Sequence, residues 1–275
     1  MSHAAYLGAR LPATYAAVRA ALAMCPRAVR DRLHSVLDLG SGPGTASWAT
    51  RDACAVTSVT QIDRSPDMLA LARRLADRAG DTVLRSAAQR QGDLGGGGPW
   101  DAADLVVSAY ALAELAPAAR RSLVASAWAA AAHVLVLVEP GTPDGFARIH
   151  DARVHLIAAG ASLLAPCPHM ATCPMHATPG EWCHFAVRVP RTRRHRQLKG
   201  GTLGYEDEKY ACLVASKLPD GREPGARVLR HPRIEKGRIG LVLCAPDRAE
   251  RIVVTRRDPA FRAARKVEWG DTWPP

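Results

Sequence analysis

The sequence predicts an α/β protein built on a parallel sheet with helices on both faces. Three observations carry that expectation. Short apolar runs alternate with helix-like stretches throughout residues 36–139, the first run enters a glycine turn, LDLGSGPG, and the second ends in an acid, VTQID. Strands covered on both faces read as near-continuous Val/Ile/Leu runs, and their alternation with helices implies βαβ units.

The elements follow in order. Residues 1–34 predict an N-terminal helical segment, with Tyr15, Val18, Leu22 and Met24 at helical spacing, then Val29 and Leu33, and Pro26 between two short helices. SVLDLGSG predicts the first strand and its turn, and TASWATRDA the helix behind it. VTSVTQIDRS is a second strand, and PDMLALARRLADRAG is a helix that starts near Pro66 and stops at Gly80. VLRSAAQRQGDL is a weak third strand ahead of a flexible GGGGPW turn. DAADLVVSAYALAEL gives a fourth strand and its exit, PAARRSLVASAWAAA a helix, and HVLVLVEPGTP a fifth strand. One more helix, GFARIHDARVHLIAAGA, precedes residues 165–204, which are rich in Pro, His, Cys, Arg and Gly and have little period. KYACLVAS (209–216) and RIGLVLCAP (238–246) predict the two final strands. The expected organisation is a helical segment at 1–34, a Rossmann-like core at 35–160, a Cys/Arg-rich insert at 161–205, and the core's last strands with a basic tail at 206–275.

At 275 residues and 48% hydrophobic content, the chain can bury a sizeable core. Its longest apolar run, Ala129 to Val138, is too short to cross a bilayer, so no membrane role is expected. The start, MSHAAYLGARLPATY, lacks a basic residue followed by an apolar stretch, and a cytoplasmic protein is expected. The net charge of +11 is unevenly placed: residues 1–150 carry +2 and residues 151–275 carry +9. A basic half of this kind favours a polyanion, RNA first, over a solvated surface.

The glycine loop reads Asp38-Leu39-Gly40-Ser41-Gly42-Pro43-Gly44. A dinucleotide fingerprint needs G-x-G-x-x-G. Here the third glycine comes one residue early, and an acid precedes the first by two. The pattern resembles motif I of class I S-adenosylmethionine-dependent methyltransferases. That resemblance implies that Asp38 helps hold the donor's amino-acid moiety and that Gly40, Ser41, Gly42 and Gly44 form the loop that makes room for it. Asp63, at the end of the second strand, offers a carboxylate to both ribose hydroxyls, and Asp93, in QGDL, matches a position that contacts the adenine amino group. Five strands, a helix, an irregular insert and a strand pair fit a seven-stranded class I methyltransferase sheet whose last two strands form an antiparallel hairpin. No catalytic residue is identifiable. The fourth strand exits through Ser108-Ala109-Tyr110-Ala111, without the Asn/Asp-Pro-Pro-aromatic or Pro-Cys elements of base-modifying enzymes. Tyr110 offers a ring for stacking on a base and Glu114 a proton acceptor, and both also read as ordinary strand-exit residues.

Three of the seven cysteines fall in one segment, CPHMATCPMHATPGEWCHF, at Cys167, Cys173 and Cys183. Structural disulfides are not expected in a cytosolic chain, so the cluster predicts metal or cluster ligation. Cys25, Cys54 and Cys212 read as buried small residues. No C-x₂-C knuckle is present, and three thiolates leave a tetrahedral site one ligand short. Cys244, Cys212, His169, His176 and His184 are candidates for the fourth. Spacing leaves zinc and an iron–sulfur cluster equally open, since soft thiolates suit both and a cluster tolerates irregular spacing.

The segment CPH-x₃-CP…WCHF with its following arginines, the YALAEL exit, the VEPGTPDGF turn and the closing ARKVEWGD resemble the mitochondrial small-ribosomal-subunit methyltransferase-like assembly-factor family, which has bacterial members. The resemblance covers residues 35–275. It implies a [4Fe–4S] insert with Cys167, Cys173, Cys183 and Cys244 as ligands. It also implies association with the small ribosomal subunit and its rRNA, in methylation or in assembly and translation, by a chain that is monomeric off the ribosome. The basic run Arg191, Arg193, Arg194, Arg196 and Lys199, followed by Gly200, Gly201 and Gly204, is then an expected RNA contact, with the cations from Arg251 to Arg265 adding to it. A non-catalytic assembly factor and a zinc-containing small-molecule methyltransferase are the alternatives.

Overall fold

The computed structural model describes residues 8–218, 225–246 and 248–274. Helix α1 (Leu11–Ala23) carries Pro12 in its first turn, where a missing N–H removes no hydrogen bond. A short α2 (Arg27–Arg30) follows Pro26. Then come β1 (Ser35–Leu39), α3 (Thr45–Ala53), β2 (Ser58–Asp63) and α4 (Pro66–Ala79). Ser65 caps α4 by accepting from the Met68 N–H, and Gly80 ends it in the left-handed conformation that glycine adopts without strain. The chain continues through α5 (Thr82–Arg85), β3 (Ala88–Gln91), β4 (Ala103–Ala109), a 3₁₀ turn at Leu112–Glu114, α6 (Pro117–Ala130), β5 (Ala131–Pro140), α7 (Pro143–Ala158) and β6 (Ser162–Ala165). The insert contributes α8 (Pro174–Ala177), β7 (Phe185–Pro190) and α9 (Arg193–Lys199), and β8 (Tyr205–Ser216) returns to the sheet.

The main sheet has the order β3-β2-β1-β4-β5-β8-β6, with β7 also paired to β8. Strands β1 to β5 pair in parallel. Strand β8 runs antiparallel to β5 and to β6. Five parallel strands, then an antiparallel strand inserted before the edge, is the class I methyltransferase arrangement. Alternate strand residues face opposite sides, which gives two cores. Val36, Val107, Val136 and Val214 pack with Val18 and Leu22 of α1 and Ala49 of α3. Leu37, Val106, Leu135 and Leu213 pack with Leu123 of α6 and Ile149 and Leu156 of α7.

The expected final hairpin is corrected. Residues 209–216 do lie in β8, but residues 238–246 do not join this sheet. They form β11 (Arg238–Cys244), which belongs to a second, five-stranded sheet with β9 (Ala226–Val228), β10 (Arg233–Glu235), β12 (Ala249–Thr255) and β13 (Thr272–Trp273). The place beside β8 is taken by β6. Its four residues, SLLA, follow α7 so closely that their apolar run reads as the helix's tail; Gly160, at φ 82°, makes the break. The second sheet has its own core of Val228, Ile239, Leu241, Leu243, Val254 and Trp273, closed by α10 (Phe261–Ala264). The tail expected to complete the main sheet therefore builds a separate layer.

Candidate cofactor sites

The glycine turn sits where β1, β2 and β4 end, the usual ligand position of an open α/β sheet. Gly40, Gly42 and Gly44 all have positive φ, at 76°, 53° and 78°. A Cβ on Gly44 would meet Gln61 Nε2 at 2.6 Å, and one on Gly40 would meet the Ala111 Cβ at 2.8 Å. Gly40, Gly42, Asp63, Asp93, Leu94 and Tyr110 line a pocket here, with Thr14 of α1 on its wall. Asp63 accepts from the Gly42 N–H at 2.7 Å through Oδ2 and from the Ser65 N–H at 2.8 Å through Oδ1, so each oxygen keeps a lone pair for a ligand. Asp93 is exposed and accepts from the Gly95 N–H at 3.0 Å.

Asp38, Ser41 and Gly44 lie behind this lining. Asp38 is 1% exposed, and its Oδ2 accepts from the Ser47 N–H at 3.0 Å and from the Ser47 hydroxyl at 2.6 Å. Burial pushes its carboxyl up to about 7 against the opposing pull of those two hydrogen bonds. Among the described residues, three buried atoms around the loop have no partner: Asp38 Oδ1, Ser41 Oγ and Thr45 Oγ1. Buried polar groups are normally paired. In front of the loop, Gly40, Gly42 and the open lone pairs of Asp63 fit the ribose of a nucleoside ligand such as S-adenosylmethionine.

The pocket rim holds the two groups that the sequence offers for chemistry, and both are engaged. Tyr110 has φ 59°, a left-handed conformation that bulky residues rarely adopt. Its hydroxyl donates to Glu208 Oε1 at 2.7 Å, and burial with that neighbouring carboxylate raises its pKa far above the usual value. Glu114 pairs with Arg64 at 3.1 Å. Glu139, fully buried below them, accepts from the Leu112 N–H and from Arg148 Nε at 2.6 Å.

The second site is a cavity between the two sheets. Cys167, Cys173, Cys183 and Cys244 all line it, although they come from the β6–α8 loop, the start of α8, the approach to β7 and the end of β11. Cys212 of β8 and His169 line it too, and His169 Nε2 is 3.5 Å from Cys244 Sγ. His176 stacks on His150 and His184 on Trp182, and neither reaches the lining. The cavity volume is about 30 Å³. Sequence reasoning placed Cys212 in the core; it is buried, but it also faces this cavity. Burial raises the thiol pKa of Cys167, carries that of Cys183 well above the usual value and pushes Cys212 and Cys244 up to about 12. Repulsion among the neighbouring thiolates adds to each shift. Thiolates ligate only when deprotonated, so ligation here needs a compensating cation. Among the described residues, no group of three or more His, Cys, Asp or Glu side chains is gathered tightly enough to hold a single metal ion. Thiol donors sharing one cavity suit a soft metal ion or a cluster alike.

Two buried arginines also line this cavity, and nothing in the sequence pattern marks either. Arg153 of α7 is 5% exposed and donates to the carbonyls of His169 at 3.1 Å and Ala171 at 2.7 Å. Arg227 of β9 is 7% exposed and donates to the carbonyls of Pro166 at 2.9 Å and Gly270 at 2.8 Å.

The basic run of the insert is partly neutralised within the fold. Arg191 pairs with Glu206 at 2.7 Å, and His195 lies 3.2 Å from the same carboxylate. Gly201 serves this pair, since a Cβ there would meet Arg191 Nη1 at 2.5 Å. Arg193 is exposed and Arg196 half-buried; the side chains of Arg194 and Lys199 lie outside the described residues. Arg251, Arg256, Arg257, Arg262, Arg265 and Lys266 are exposed, and among the described residues none of them makes an ion pair.

With both sites in place, one comparison decides the family. The family described as mitochondrial small ribosomal subunit Rsm22 matches residues 1–274. The chain belongs to the Rsm22 family. The human ribosome assembly protein METTL17, mitochondrial, is 29% identical to it over 301 residues, covering 98% of this chain and 62% of that protein. The Rsm22-cox11 tandem protein 2, mitochondrial, of Schizosaccharomyces pombe is 26% identical over 183 residues, covering 51% of this chain and 24% of that protein. The Rsm22-family chain thus spans about three fifths of the first relative and about a quarter of the second. The expectation of a cytoplasmic protein is corrected by these relatives, which are mitochondrial. Among solved structures, a putative RNA methyltransferase of Pyrococcus horikoshii is 13% identical with a TM-score of 0.43, covering 68% of this chain and 75% of that one. The putative methyltransferase in complex with the Haloferax volcanii Trm112 activator is 19% identical with a TM-score of 0.46, covering 75% and 91%. No helix among the described residues is long and apolar enough to cross a membrane.

Proposed function

We propose that this Rsm22-family protein binds the small ribosomal subunit during its assembly, holding S-adenosylmethionine in the glycine-loop pocket and a [4Fe–4S] cluster on Cys167, Cys173, Cys183 and Cys244. Asp63 would receive the ribose hydroxyls and Asp93 the adenine amino group, while Asp38, buried behind the glycine turn, would act on the amino-acid end through the loop it braces. The cluster's contribution is structural: it would tie the insert, too polar to build a core of its own, to the second sheet.

The observation that carries assembly over methylation is the state of the rim. The Tyr110 hydroxyl is held by Glu208 with the Arg10 guanidinium 5.7 Å from its ring centre, and the Glu114 carboxylate is paired with Arg64, so these contacts compete with positioning or deprotonating a base. The exposed cations between Arg251 and Lys266 supply the contact with rRNA phosphates. Arg262 and Lys266 share a groove there with Pro259 and Thr272.

The test is a deletion strain in which small-subunit rRNA is mapped for methyl marks and subunits are profiled on gradients. Immature small subunits with an unchanged methylation map are expected. A single lost mark, restored by the wild-type gene and not by a donor-binding variant, would establish the rRNA methyltransferase reading instead.

A further inference from the structure

We infer that Arg153 is a positioning residue for the four-cysteine centre: it pins the Cys167–Cys173 loop and supplies a permanent buried positive charge that raises the centre's reduction potential. The inference rests on the reading of those cysteines as ligands of an iron–sulfur cluster, and goes beyond it by assigning a residue that is not a ligand.

Arg153 projects from α7, and one of its terminal nitrogens bridges the carbonyls of His169 and Ala171, two residues inside the loop between the first two cysteines. A guanidinium is rigid and planar, so this bridge fixes the loop's path. Arg153 Nε is buried without a partner on the wall of the cavity, a donor left open where the centre would lie.

Burying a guanidinium is costly unless a negative charge is close. Among the described residues, those lining the cavity beside Arg153 include five thiols and no carboxylate. Arg227 stands directly opposite Cys244 in the register of β9 and β11, so a second arginine lies beside one of the four thiols. A cluster on four thiolates carries two negative charges when oxidised and three after accepting one electron. Buried arginines stabilise both forms, and the trianion more. Cluster potentials follow net charge and hydrogen bonding to sulfur. Removing the charge at Arg153 therefore makes reduction harder.

The experiment uses full-length protein purified anaerobically, with iron content, visible absorbance and a dithionite titration followed by electron paramagnetic resonance. Dithionite donates the electron, and the midpoint potential is the readout. Arg153→Met should shift the midpoint to more negative values. Arg153→Lys should hold it near wild type while losing iron faster to a chelator, because an ammonium keeps the charge but not the planar bridge. Iron-loaded Arg153→Met with an unshifted midpoint overturns the inference. If Arg153→Met takes up no iron, Arg153→Lys decides: a midpoint displaced as far negative as that of Arg227→Met overturns it, and a wild-type midpoint supports it. Wild-type protein free of iron would overturn the cluster reading itself, a result visible before any variant is made.

Discussion

Gly42 donates its backbone N–H to Asp63 Oδ2 at 2.7 Å, so the acid that closes β2 also holds the turn that follows β1. One carboxylate thus shapes the pocket and faces into it. Asp63→Ala removes both the loop's anchor and the proposed ribose acceptor. Hydrogen bonds to charged groups contribute about 1.5–3 kcal/mol, so donor affinity should fall roughly ten- to a hundredfold. Calorimetric titration with S-adenosylmethionine measures this, and iron content should not change. Equal affinity in variant and wild type would remove Asp63 from the binding site.

Asp38 couples stability to pH through its protonation. Its carboxyl is raised to about 7 in the folded protein, chiefly by burial, against an ordinary value of 3.8. The folded state therefore binds the proton more tightly than the unfolded state. The stabilisation is complete below pH 4 and is lost as pH rises towards 7. Asp38→Asn keeps an acceptor for Ser47 and carries no charge. In donor-free protein it should be more stable than wild type at pH 8, by up to about 4 kcal/mol, with the gap closing near pH 4. Urea unfolding at the two pH values checks it. A variant less stable than wild type at pH 8 would show that the Asp38 carboxylate is compensated in a way its two bonds to Ser47 do not reveal.

The parallel half of the fold was legible because its signals are local. TASWATRDA is α3 residue for residue, and Pro66 and Gly80 bracket α4 as their backbone chemistry requires. What escaped was non-local. SLLA is too short to announce a strand and becomes one only because β8 lies beside it. RIGLVLC reads equally well as the edge of one sheet or the centre of another, since strand pattern fixes the buried face and not the partner. Motif I marked the pocket, yet nothing in it says that Asp38 and Ser41 turn behind the loop while Asp63 turns in. Three cysteines were marked by their clustering in one segment and Cys244 by resemblance alone, and the structure brings all four to one cavity. Arg153 was not, because an arginine in an amphipathic helix looks solvent-exposed until the loop that covers it is known.

Five thiols line the cavity, and a four-thiolate centre leaves one of them over. Cys212 lies in the middle of β8, paired with Val138, and its burial within the sheet core leaves it little freedom to move towards a ligand. Cys212→Ala should keep the full iron content and visible absorbance of wild type, at a cost of about 1 kcal/mol in stability for a small core truncation. Cys244→Ala should lose most of its iron. Iron retained in Cys244→Ala and lost in Cys212→Ala would exchange the two cysteines' roles and disconnect the second sheet from the centre.

The cations are divided between two places with different fates, and salt dependence separates them. Arg191 is engaged by Glu206 beside His195, whereas Arg256, Arg257, Arg262 and Lys266 stand exposed on the second sheet's outer turn and helix. Asp258 is the acid among them, and its carboxylate accepts from the Ala260 N–H. Substituting those four with glutamine should weaken binding to small-subunit rRNA and flatten the dependence of log K on log salt by about 0.7–0.9 for each phosphate that is no longer neutralised. Arg191→Gln removes the guanidinium 2.7 Å from Glu206, so its effect should appear in thermal stability, with the salt slope unchanged. Filter binding across a salt series, with melting curves on the same samples, tests both. A flattened slope for Arg191→Gln and none for the fourfold variant would return the RNA-binding surface to the insert.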